Sequence, residues 1–287
     1  MLLSLIKKSF KQVIEKSSIM IFLVAYLIII GLITPFIKND ILAMVLGICI
    51  ILLTIVHFSG WFQLVNTIAT EKNNESENKN VFSIFLEGIG RNIVSLIIAF
   101  AFYFAMLMLF LYISGFVANH FFGDIKIVLQ DIMTALQGNN NLILALEALP
   151  DDKQITFYGW QFCFIVASCI LGFIFIMYCP FLINSEKNIF VRPFIAFWES
   201  LKFTFKNFLM TLAIYSSIYA AHILLNILRG LAGNNTIISM VLFLIYIYFS
   251  AIVVMLIFNY YDAKNNCSDG SDSVGENEAV DTAGKED

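Results

Sequence analysis

The sequence predicts an all-α membrane protein: six transmembrane helices in a bundle of three helical hairpins, each preceded by an inner-leaflet amphipathic helix. Three observations carry this. Of the 287 residues 60% are apolar and only 13% charged, about half the charge of a water-soluble domain. A chain whose solvent is mostly hydrocarbon needs few charges. Six apolar stretches, at about 18–37, 41–66, 92–118, 157–183, 208–229 and 236–260, are long enough to cross roughly 30 Å of hydrocarbon at about 1.5 Å per residue. A short motif recurs before the third and fifth of them.

Four lysines (Lys7, Lys8, Lys11 and Lys16) precede the first span. They resemble the charged region of a signal peptide, but the apolar run is too long and lacks a small-x-small cleavage site. It is expected to be an uncleaved first helix. Lys38, Asn39 and Asp40 alone join the first two spans, which makes a tight hairpin with Asn39 or Asp40 as a helix cap. Gly230 and Asn235 suit the stop and start between the last two spans. Pro180 is expected to kink the fourth span near its end.

Between the third and fourth spans, Ile125, Val128, Leu129, Ile132, Met133 and Leu136 recur at helical spacing, followed by a second apolar pattern from Leu142 to Leu149. One or two amphipathic helices lying on the outer surface are expected there. From Ala263 to Asp287 the chain is rich in Asn, Ser, Gly and acid. It reads as a disordered acidic cytoplasmic tail after a six-helix domain over 1–262.

Orientation follows from Lys and Arg. With the N-terminus inside, the cytoplasmic segments hold thirteen: Lys7, Lys8, Lys11, Lys16, Lys72, Lys79, Arg91, Lys187, Arg192, Lys202, Lys206, Lys264 and Lys285. Four fall outside: Lys38, Lys126, Lys153 and Arg229. Both termini are therefore expected in the cytoplasm. The Asn-, Lys- and Ile-rich composition suggests a bacterial cytoplasmic membrane.

The recurring motif reads Phe82-Ser-Ile-Phe85-Leu-Glu87-Gly88 before Arg91-Asn92, and Phe194-Ile-Ala-Phe197-Trp198-Glu199-Ser200 before Lys206-Asn207. A weaker third copy is the N-terminal segment, with Leu2, Leu5, Ile6, Phe10 and Ile14 as its apolar face. Repeat units 1–69, 81–186 and 188–262 follow. In each, an amphipathic helix would set Phe, Trp and Ile into the acyl boundary and Lys or Arg against anionic headgroups. Glu87 would pair with Arg91, and Glu199 with Lys202 or Lys206, to fix the helix angle. Equally, both carboxylates read as a solvated polar face.

The stretch Phe194 to Asn207, and the ending Phe249-Ser250-Ala251 with Asn259-Tyr260-Tyr261-Asp262-Ala263-Lys264, resemble uncharacterised six-helix bacterial membrane families. They are similar to the membrane domain fused to some glycerophosphodiester phosphodiesterases. The resemblance implies a six-helix membrane fold and carries no catalytic residues with it, and no attached phosphodiesterase domain is expected from these residues.

Chemistry-bearing residues are sparse. No Lys, Asp or Glu lies deep in a span, which argues against a carboxylate relay, and no H-E-x-x-H occurs. Cys49, Cys163, Cys169 and Cys179 sit in apolar runs and Cys267 in the tail, with no metal-ligand spacing. They read as apolar filler. No cofactor is implied, and no basic stripe suits nucleic acid. The polar candidates lie on two helices. Tyr215, Tyr219, His222, Asn226 and Arg229 follow steps of four and three along one face of the fifth span, opposite a ridge of Ala213, Ser217 and Ala221. The inner half of the second span carries His57, Ser59, Gln63 and Asn66. The two sets would either line opposite halves of one polar cleft or serve as interhelical hydrogen bonds, at about 0.6 kcal/mol per pair.

Three functions fit. The first is a non-enzymatic membrane protein organising lipids or a protein partner at its cytoplasmic face. The second is a transporter or lipid-handling permease with its cleft between helices two and five. The third is an intramembrane enzyme, for which no carboxylate partner is at hand in the spans. The amphipathic helices and acidic tail favour the first.

Overall fold

A computed structural model describes residues 1–33, 35, 40–70, 80–138, 142–233 and 235–272. Every regular element among them is helical: α1 (Leu2–Glu15), α2 (Ser18–Ile33), α3 (Asp40–Thr70), α4 (Val81–Phe122), α5 (Ile125–Gly138), α6 (Leu142–Glu147), α7 (Asp151–Phe175), α8 (Tyr178–Asn184), α9 (Arg192–Lys206), α10 (Phe208–Ala232) and α11 (Thr236–Asp272). Among the described residues five segments are long and apolar enough to cross a membrane: Ala43–Thr70, Val81–Phe122, Asp151–Asn184, Phe208–Ala232 and Thr236–Asn265. A sixth arises if α1 and α2, bent by 70° at their junction, count as one broken span. This is a multi-pass helical membrane protein. The predicted cap Asn39 lies outside the described residues, as do Lys38 and 273–287, and α3 begins at the alternative cap, Asp40. Helix α11 runs on to Asp272, into the stretch read from sequence as tail.

The chain forms two compact units, Met1–Ile98 with Ile176–Asp287, and Ala99–Phe175. In the first, α2, α3, α8 and α11 bury a core of Ile19, Leu23, Trp61, Leu64, Val65, Ile183, Met255 and Phe258. The Trp61 indole donates to the Ile19 carbonyl at 3.0 Å, so the bulkiest buried ring also ties α3 to α2. A second cluster joins α1, α10 and α11 through Leu5, Ile214, Leu256 and Tyr260. In the second unit, Val128, Ile132 and Leu149 form a small core, and Lys153 donates to Asp131 across α7 and α5. Helices α5 and α6 occupy the two segments expected to be amphipathic, and α5 leaves Ile127, Leu129 and Met133 exposed.

Of the three segments expected to form separate amphipathic helices, one differs. Helix α1 is separate from α2, and α9 from α10, with the break at Asn207. The segment carrying Phe82 to Arg91 is no separate helix: it is the start of the unbroken 42-residue α4. This first part of α4 crosses α3 closely. A Cβ on Gly88 would stand 2.5 Å from Gln63 Cβ and 2.9 Å from the Ser59 carbonyl. One on Gly60 would stand 2.7 Å from the Phe85 carbonyl. Glycine at both positions lets the α3 and α4 backbones approach.

Helix α1 is gripped rather than laid flat on its apolar face. Leu5, Ser9 and Val13 are buried, at steps of four. Asn259 of α11 donates to Ser9 Oγ at 2.9 Å and to Gln12 Oε1 at 2.7 Å. Gln12 and Lys8 in turn donate to the Ile68 and Ala69 carbonyls in the last turn of α3, where helical partners run out. Part of the predicted apolar face, Phe10 and Ile14, stays exposed with Leu3 beside the lysines.

The helix breaks have local causes. Ile176 and Met177 form the turn between α7 and α8, and Pro180, which has no N–H to offer Ile176, follows directly. The α10 stop is Gly233, at φ +54°, rather than Gly230. Asn235 Oδ1 accepts from the amides of Ile237 and Ile238, both at 3.1 Å, and so starts α11.

Candidate functional site

The nine polar-cleft candidates fall into two groups within the first unit. Those on α3 point into packed interior. His57 is buried and stacks on Tyr26 at 4.6 Å, with Phe58 edge-on at 5.5 Å. Ser59 is buried and donates to its own helix at the Ile55 carbonyl. Asn66 exchanges two amide hydrogen bonds with Asn184 of α8, at 2.9 and 3.0 Å. Gln63 accepts from Asn92 of α4 at 3.4 Å.

That last bond leads to a residue the sequence counted only as a juxtamembrane charge. Arg192, at the start of α9, is 3% exposed. Its Nε donates to the Ser185 carbonyl at 2.7 Å, and one terminal nitrogen donates to Asn92 Oδ1 at 3.1 Å and the Arg91 carbonyl at 3.4 Å. Ser95 adds a hydrogen bond to the Ile189 carbonyl at 3.2 Å. The network therefore sews α3, α4, α8 and the entry to α9 together. Burial foremost, and then the like charge of Arg91, holds the Arg192 guanidinium below its ordinary value. Among the described residues no carboxylate pairs with it. Carbonyl dipoles and an amide oxygen satisfy it instead.

With Arg192 fixed, Ala196, Ser200 and Thr204 follow at steps of four as the buried face of α9. The opposite face is exposed and carries Phe194, Trp198 and Phe205. Lys202 lies over the Trp198 ring at 5.3 Å, a cation–π arrangement. Phe197 is half-buried, its ring 6.4 Å from Tyr178, while Glu199 and Lys206 are exposed. On α4, Phe82 is exposed, but Phe85 is buried and stacks on Phe22 at 4.2 Å. Glu87 and Arg91 are exposed. Among the described residues neither Glu87 nor Glu199 makes the ion pair considered from sequence.

The α10 stripe behaves differently from the α3 set. Tyr215, Tyr219 and His222 line a groove of about 300 Å³ against Tyr246, Phe249, Val253 and Val254 of α11. Asn226 and Arg229 line a second hollow of about 500 Å³ with Ser239, Leu242 and Phe243. Tyr246 borders both, and its hydroxyl lies 3.5 Å from His222 Nδ1. The Tyr215 and Tyr219 rings stack at 6.3 Å. The groove partner is thus α11, which packs against both α3 and α10. Ser217, in the ridge predicted to pack, is exposed.

No three His, Cys, Asp or Glu among the described residues gather where they could hold a metal ion. Of the cysteines, Cys49 is exposed on α3, and Cys163, Cys169 and Cys179 are half-buried. Comparison of the chain with protein-family models, with curated proteins and with solved structures found no match.

Proposed function

We propose that this protein is a non-enzymatic organiser of the bacterial cytoplasmic membrane, with six spans and both termini in the cytoplasm. It engages membrane lipids, and through them or beside them a protein partner, at its inner edge. The observation that carries the reading is the two-sided character of α9. One face is locked to the bundle through Arg192, Ala196, Ser200 and Thr204, and the other holds Phe194, Trp198, Lys202 and Phe205 outward. A helix that is rigidly held and yet exposes aromatics among lysines suits the headgroup boundary.

Helix α1 supports it from the same end of the unit. It is anchored by Asn259 and leaves Leu3, Phe10 and Ile14 outward with Lys7 and Lys11. Gln63 and Asn66 of α3 are consumed by pairing with α4 and α8, and Ser59 bonds its own helix, which favours this reading over a solute path between helices two and five.

The test is the depth of position 198. A spin label on Trp198→Cys, with native cysteines replaced, is expected to sit at the headgroup boundary in vesicles, reached by both oxygen and a water-soluble relaxant. A label fully in water, with no response to lipid, would refute the reading.

A further inference from the structure

Arg229 is the sole Lys, Arg, Asp or Glu between Asn207 and Tyr261. It is exposed in the last turn of α10, and no hydrogen bond or ion pair reaches it among the described residues. An unpaired guanidinium at the end of an apolar hairpin calls for an anion from outside the chain. What lies beside it is an open groove. Its outer part holds Asn226, Ser239 and Tyr246 among Leu242 and Phe243, and its deeper part turns apolar with Ile218, Phe249, Val253 and Val254.

The groove has the dimensions of one membrane leaflet. From Arg229 down to Tyr215 is fourteen residues of helix, about 21 Å at 1.5 Å per residue. A leaflet's hydrocarbon is about 15 Å deep, with the headgroup layer above it. Arg229 then stands at phosphate depth, while Tyr215 and Tyr219 stand near the ends of the acyl chains. The polarity falls in the same direction as in a lipid molecule.

We infer that the α10–α11 groove holds one phospholipid of net negative charge. Its phosphate is bound by Arg229 with Asn226 alongside, and an acyl chain lies past Tyr246 toward Tyr219. The inference rests on the chain being membrane-spanning, but it does not need the inner-edge role of α9. The Asn226 side-chain nitrogen donates to the His222 carbonyl at 3.1 Å, so its part in the site is that of its oxygen, which accepts from a headgroup hydroxyl. A polar headgroup such as glycerol fits that pairing, and charge complementarity selects lipid over a second copy of the hairpin, which would bring another Arg229.

The test uses the full chain in vesicles of mixed phosphatidylglycerol and phosphatidylcholine. Either lipid is supplied as a trace analogue with a photoreactive diazirine on its acyl chain. Adducts are expected on the segments Ile218–Leu225 and Tyr246–Val254, which line the acyl part of the groove, with the phosphatidylglycerol analogue, at least tenfold above the phosphatidylcholine analogue. Arg229→Gln is expected to erase that preference, and Ser239→Trp, which fills the groove while keeping the charge, to abolish the adducts. Lys7→Gln with Lys11→Gln is expected to leave them unchanged, which separates this site from the inner edge. Equal labelling by the two lipids, or a preference that survives Arg229→Gln, would overturn the inference. So would a loss of self-association on Arg229→Gln without any change in labelling.

Discussion

The Arg192 guanidinium and the Asn92 side-chain oxygen meet 3.1 Å apart inside the bundle, one hundred residues apart in the chain, and both side chains are almost fully buried. Asn92 has its amide nitrogen on Gln63, so each partner is oriented by a third group. Removing Arg192 would leave Asn92 Oδ1 and the Ser185 carbonyl without their donor. Arg192→Ala is expected to cost about 1.5–3 kcal/mol, the range for hydrogen bonds to a charged group. Arg192→Lys should recover little, because an ammonium cannot serve both acceptors with the fixed fork of a guanidinium. Thermal unfolding in detergent reads both. A lysine variant as stable as the parent would show that charge, not geometry, fixes α9.

The crossing of α3 and α4 is a second place where one atom decides. Gly88→Ala puts a Cβ 2.5 Å from Gln63 Cβ and 2.9 Å from a backbone carbonyl. The helices must part, at about 1–3 kcal/mol for an overpacked contact. Gly90→Ala serves as its control, since a Cβ there meets nothing within 4 Å. A gain in helix propensity makes that change neutral or mildly stabilising. Equal melting temperatures for the two variants would contradict the crossing.

Helix α1 is held by few polar contacts, so its release is expected to be selective. Asn259→Leu keeps the branched outline of the side chain but removes both donations to α1. It also leaves Gln12 with only its bond to the Ile68 carbonyl. Limited trypsin digestion at Lys7, Lys8 and Lys11 should then quicken severalfold, while the unfolding temperature moves by only a few degrees. Unchanged cleavage would mean that burial of Leu5 and Val13 alone secures the helix.

The spans were legible because an apolar run of membrane length has few other uses, and caps such as Asn235 mark their own helix start. What the sequence hid was where a helix breaks. Arg91-Asn92 and Lys206-Asn207 look equivalent, yet the chain continues as helix through the first and breaks at the second. Asn92 is buried and paired with Arg192 and Gln63, whereas Asn207 turns its side chain back to the Phe203 carbonyl. The difference lies in a tertiary partner, which a local pattern does not contain. The same holds for the polar faces. Spacing placed Gln63 and Asn66 on one side of α3, but only packing revealed that Asn92 and Asn184 occupy it. The steps of four from Arg192 through Ala196 and Ser200 to Thr204 were present in the sequence, and would have marked the buried side of α9.

His57 gives the sharpest contrast between a packing histidine and a ligand. Its ring lies in an aromatic cage of Tyr26, Phe58 and Phe85, and its Nε2 is buried with no hydrogen-bond partner among the described residues. Tyr26 sends its hydroxyl elsewhere, to Thr54 at 2.7 Å. Phenylalanine would keep the stacking and remove an unsatisfied polar atom, whose burial costs about 1–3 kcal/mol. His57→Phe is therefore expected to leave the unfolding temperature in detergent unchanged or raise it. His57→Ala, which opens a cavity under Tyr26, is expected to lower stability by about 3 kcal/mol or more. If the phenylalanine variant instead loses as much as the alanine variant, Nε2 has a partner that this packing does not supply, and α3 would again be a candidate for carrying a ligand.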